Sequence, residues 1–89
     1  MVVKKLSVRN ELGLHLRAAA QLARIASKFA CRVSVANHNG KADGKSPISL
    51  LAIGAAGGTE VTVTVEGKGE RTAFSEIQEL FMNRFGEAQ

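Results

Sequence analysis

Apolar residues recur along the chain at two different periods, and the switches between those periods mark out its elements. From Val2 to Val8 the apolar Val2, Leu6 and Val8 share one parity and Lys5 and Ser7 the other, the alternation of a half-buried strand with Lys4 as its one departure. Asn10 to Leu14 reads as a connecting loop. The period then lengthens: between Leu16 and Phe29, the spacing of Leu22, Ala26 and Phe29 predicts a helix that turns these three toward a core. On another face of that helix Arg17, Gln21, Arg24 and Lys28 follow one another as a basic polar stripe.

Alternation returns over Cys31 to Val35 and leads into Asn37-His38-Asn39-Gly40, whose Asn-Gly pair predicts a tight turn and a returning strand from Lys41 to Asp43. Ser46-Pro47 has the grammar of a helix start, a hydroxyl at the N-cap and proline at the first helical position. Ile48, Leu50, Leu51 and Ile53 follow, and Gly54, Gly57 and Gly58 end that short helix. Thr59 to Glu66 alternates Val61, Val63 and Val65 with Thr62 and Thr64, a strand closed by Gly67-Lys68-Gly69. The last element runs from about Glu70 to Phe85, with Phe74, Ile77, Phe81 and Phe85 on one stripe and Gly86 where a C-terminal cap belongs.

The order is βαββαβα, an α+β domain in which three amphipathic helices cover one face of a four-stranded sheet. The other face, rich in Thr, Ser, Lys and Glu, is left to water. With 89 residues there is room for one domain, spanning 1–89, and one modest core, so function must sit on the surface. No apolar stretch approaches the length of a membrane span, and the start of the chain lacks the pattern of a secretory signal, which predicts a cytoplasmic protein without membrane insertion. The single cysteine, Cys31, lies beside Val33 and Val35 and reads as a buried free thiol. A formal charge of +4 invites a nucleic-acid partner, but the basic residues are dispersed among eight acids with no aromatic stacking surface, and an acidic protein partner accounts for the charge equally well.

Candidate chemistry concentrates at Gly13-Leu14-His15-Leu16-Arg17. A histidine at the head of a helix faces the free N–H groups of the first turn and the positive end of the helix dipole. A phosphate on its ring would meet both, and the Arg17 guanidinium as well. Neutral imidazole, abundant near neutral pH, is the nucleophile such a step needs. His38 has no such company and reads as a solvated turn residue, and two histidines with a distant Cys31 lack the spacing of metal ligands, so no metal site is expected.

Three separated segments, Gly13-Leu14-His15-Leu16-Arg17-Ala18-Ala19-Ala20, Gly44-Lys45-Ser46-Pro47-Ile48-Ser49 and Leu51 through Val61, resemble the HPr family of phosphocarriers of the bacterial phosphotransferase system. The resemblance implies an HPr-like open-faced β-sandwich, its antiparallel strands in the order 1-4-2-3. It implies a stoichiometric carrier, not an enzyme, needing no cofactor and working as a monomer. His15 would accept a phosphoryl group on Nδ1, as pros-phosphohistidine, from phosphorylated enzyme I and deliver it to an enzyme IIA component in sugar transport or a regulatory branch. Arg17 would neutralise the phosphate. Leu16, Ala20, Pro47, Ile48 and Leu51, ringed by Arg17, Arg24 and Lys28, would form the surface shared by both partners.

Ser46 matches the serine that an HPr kinase/phosphorylase modifies in many bacteria, so the alternative reading is a regulatory HPr-like module acting through Ser46 and protein contacts with little sugar transport. The chain departs from the family's commonest pattern at Leu16, where a small residue is usual, at Ala18, where proline is frequent, and at Pro47, where a bulky apolar residue is common. None of the three removes a reactive group; they bear on partner choice and on kinase recognition.

Overall fold

A computed structural model describes residues 1–88. The elements are β1 (Val2–Ser7), α1 (Leu16–Ser27), β2 (Arg32–Asn37), β3 (Gly40–Asp43), α2 (Pro47–Ala52), β4 (Glu60–Glu66) and α3 (Glu70–Met82), followed by a 3₁₀ turn at Arg84–Gly86. The four strands form one antiparallel sheet in the order β1-β4-β2-β3. β4 lies between β1 and β2: Val65 pairs with Val2 on one side and Val33 on the other, and Val63 pairs with Val35. The alternation legible in β4 is thus the alternation of the whole sheet, with Val33, Val35, Val61, Val63 and Val65 all buried on the face the helices cover. Among the described residues no helix is long and apolar enough to cross a membrane.

Strand ends shift by one or two residues from the pattern in the sequence, and three boundaries differ for a reason the structure shows. α1 stops at Ser27: the N–H groups of Lys28 and Phe29 turn back to Ile25 and Ala26 at 3.1 and 3.3 Å, tightening the last turn, and Phe29 is half-buried beside the core that holds Leu22 and Ala26. In the hairpin Asn37 pairs with Gly40, so the two loop residues are His38 and Asn39, and Gly40 begins β3 instead of completing the turn. The reason is a side chain: Asn37 Oδ1 accepts the Asn39 N–H at 2.9 Å and closes the turn one residue early.

The third difference shapes the site. α3 ends at Met82, three residues before the expected Phe85, and Arg84 and Phe85 both adopt left-handed backbone at φ 54°. Each such residue costs about 1–2 kcal/mol. Burial of the Phe85 ring, worth about 1.5–3 kcal/mol, offsets most of that. The ring packs 4.9 Å from that of Phe81, so the apolar stripe ends as the spacing predicts although the helix does not carry it there. Bonds from Gly86 N–H to Asn83 and from Glu87 N–H to Arg84, both 2.9 Å, hold the hook and turn the chain back across the molecule.

The seat of the first helix is built by two loops pressed together. Leu14 N–H donates to the Ala55 carbonyl at 2.9 Å and Gly58 N–H to the Val8 carbonyl at 2.8 Å. Gly13 has φ 73° and faces the Ala55 carbonyl. A Cβ on Gly57 would run into the carbonyl oxygens of Asn10 and Glu11, so both positions need glycine for the loops to close.

Candidate functional site

His15 sits at the N-cap of α1 with extended backbone, and its Nδ1 accepts the Arg17 N–H at 3.3 Å. That is a long bond, easily exchanged for a better acceptor. Of the free N–H groups of the first turn, that of Arg17 is the one that meets the ring. The first turn of α1 holds no acidic residue, so its partial positive charge is left for an anion.

The other ring nitrogen has a partner that nothing in the sequence pattern announced. Nε2 lies against Oε2 of Glu87, a contact across 72 positions of chain. Asn10, fully buried, completes the set: its Nδ2 donates to the Gly13 carbonyl at 2.7 Å and to Glu87 Oε1 at 3.1 Å. The hydrogen bond from His15, then that from Asn10 and the nearby Arg17 charge, hold the Glu87 carboxyl below the usual carboxylate range, against the smaller opposing effect of partial desolvation. Glu87 escaped notice because its position depends on the left-handed hook after α3, which no spacing of apolar residues encodes.

His15 opens onto a shallow cleft shared with Glu11, Leu12, Leu16, Arg17, Ala20 and Glu87. Arg17 is exposed there. Of the remaining expected surface residues, Leu16 and Ile48 are strongly exposed, 62% and 74%, in the first turns of two helices that pack against each other. Ala20 and Arg24 are exposed, and Pro47 and Leu51 are half-buried. Lys28 is set apart: its Nζ meets Glu76 on α3 at 2.7 Å, so the end of the basic stripe is tied to the neighbouring helix.

Ser46 caps α2, its Oγ accepting the Ser49 N–H at 3.2 Å, and Pro47 takes the first helical position as the sequence predicts. His38 is exposed in the hairpin loop, away from the His15 cleft, and Cys31 is a buried free thiol.

This fold and site define a class: a small open-faced sandwich that presents one capping histidine on its surface beside a cation and exposed apolar residues. A family model described as "PTS HPr component phosphorylation site" matches residues 2–83. The phosphocarrier protein HPr of Xylella fastidiosa is 37% identical over 87 residues, covering 98% of both chains, and that of Pseudomonas aeruginosa is 36% identical over the full length of both. A crystal structure of HPr from Thermoanaerobacter tengcongensis, 31% identical, superposes over 100% of both chains with a TM-score of 0.94. The chain belongs to the HPr family, the phosphocarriers of the phosphotransferase system.

Proposed function

We propose that this chain takes a phosphoryl group on His15 Nδ1 from phosphorylated enzyme I and passes it to an enzyme IIA component. One observation carries the reading: the only hydrogen bond to Nδ1 among the described residues is a long one from the first turn of α1, at the mouth of an open cleft. Phosphoryl transfer requires little of a carrier beyond an acceptor nitrogen, positioning and neutralisation of spread negative charge. On transfer the Arg17 N–H is already aimed at the atom that receives the group and can donate to a phosphoryl oxygen in place of the ring. The exposed Arg17 guanidinium supplies a mobile positive charge that pairs with phosphate in one state and with partner carboxylates in the other. Leu16, Ala20, Arg24, Pro47, Ile48 and Leu51 form the docking surface around it with Lys28 at its edge, where Nζ also meets Glu76 on α3.

Incubation with enzyme I and labelled phosphoenolpyruvate tests the reading. The expected product is a phosphoprotein labile in acid and stable in alkali that His15→Ala abolishes, with stability lowered by less than about 1 kcal/mol, as for loss of an N-cap. Label that survives His15→Ala, or absence of label on the parent chain, overturns it.

A further inference from the structure

We propose that Asn10 and Glu87 are positioning residues that fix which nitrogen of His15 reacts. This rests on the reading of His15 as phosphoryl acceptor and adds to it how the ring is held. An ionised carboxylate only accepts hydrogen bonds, so Glu87 against Nε2 requires the proton on Nε2. The Arg17 N–H donates to Nδ1, which requires a lone pair there. Both contacts select one tautomer, with Nε2 protonated and Nδ1 free to attack. Asn10 secures the carboxylate in turn. Its Nδ2 is the only part of the side chain that can satisfy two acceptors at once, Glu87 Oε1 and the Gly13 carbonyl, which fixes the amide's orientation and leaves its Oδ1 buried without a partner among the described residues. A fully buried amide with one atom unsatisfied is tolerated where its other atom has specific work.

The chemistry follows with no proton moved on His15. The Nδ1 lone pair forms the N–P bond while the bond from phosphorus to the donor nitrogen breaks, its electron pair staying on that nitrogen. The ring, still protonated at Nε2, then carries a positive charge that faces the Glu87 carboxylate. When the group leaves, the N–P pair returns to Nδ1 and the starting tautomer is restored. A ring kept protonated at Nε2 departs as neutral imidazole, a far better leaving group than an imidazolate, so the same carboxylate favours uptake and release. The charged side chains lining the cleft besides Glu87 are Arg17 and Glu11, one of each sign, so Glu87 is distinguished by contact rather than by net field.

The full chain, ¹⁵N-labelled and unphosphorylated, is examined by ¹H–¹⁵N spectroscopy at neutral pH, and uptake is measured from phosphoramidate, a donor too small to need a docking surface. The parent chain should show a downfield, slowly exchanging Nε2–H resonance from His15. Glu87→Ala should lose it and slow uptake roughly tenfold or more, at least the loss seen when the hydrogen-bond partner orienting a metal-bound histidine is removed. In the same sample one Asn10 Nδ2 proton should lose its protection from exchange while the other, on the Gly13 carbonyl, keeps it. Glu87→Gln retains an acceptor oxygen without the charge and should recover the resonance and only part of the rate. An absent Nε2–H resonance in the parent, or a resonance or rate unchanged by Glu87→Ala, overturns the proposal. Failure of the parent chain to take up phosphoryl from either phosphoramidate or enzyme I overturns the carrier reading instead, and the spectra still judge the contact by themselves.

Discussion

The heads of α1 and α2 solve the same problem with different residues. At α2, Ser46 accepts the Ser49 N–H and Pro47 removes the need for another partner, in the arrangement that best stabilises a short helix. At α1, His15 caps through a ring nitrogen at 3.3 Å, with no proline behind it and no acid in the first turn. Histidine is a poorer cap than serine, so this position gives up stability. In return the helix end keeps an unsatisfied positive potential beside the ring nitrogen proposed to accept the phosphoryl group. α1 tolerates this because it has 12 residues and buries Ala18, Ala19, Leu22, Ala23 and Ala26, whereas α2 has six residues and one buried side chain, Leu50. A strong cap belongs where packing is thin; a weak histidine cap is tolerated on a helix that packing already holds.

The most severe way to break this contrast is to disturb the seat of α1 and leave its cap intact. Gly57→Ala would press a methyl group against the Asn10 and Glu11 carbonyls and should cost more than about 2 kcal/mol in denaturant unfolding. A cost near that of an exposed loop substitution would mean the two loops do not hold His15 rigidly. At the head of α2, Ser46→Ala should cost about 1 kcal/mol and leave phosphoramidate labelling of His15 unchanged, separating a structural cap from a reactive one.

The gentlest test concerns charge. Glu87 is held below the usual carboxylate range chiefly by His15, so its contribution to stability is complete above its unfolded value, near pH 4.3, and is lost as pH falls through its lower folded value. The titration midpoint of its side-chain carbonyl carbon should lie below that of a free peptide glutamate, and His15→Ala should move it upward. A midpoint indifferent to His15→Ala would show that the contact is not populated in solution.

Much of this was legible in the chain. The strand of Val61, Val63 and Val65, the Ser46-Pro47 helix start and the placing of His15 before a helix each follow from local spacing, and the structure keeps all three. The misreadings occur where a local signal competed with a contact from elsewhere. Asn39-Gly40 reads as a turn, but the Asn37 side chain closes the loop one residue earlier. Phe85 reads as helix because it keeps the stripe's spacing, yet the ring reaches the core through left-handed backbone.

By itself, then, the sequence determined the order of elements, the buried face of each and the histidine with its arginine, because periodicity, caps and short motifs act over a few residues. Only the tertiary structure decided what touches the second nitrogen of that histidine. Asn10, His15 and Glu87 meet because two glycine-dependent loops close and a left-handed hook turns the chain back toward α1. Contacts between residues so far apart in the chain depend on the packing of everything between them, and no local pattern carries that information.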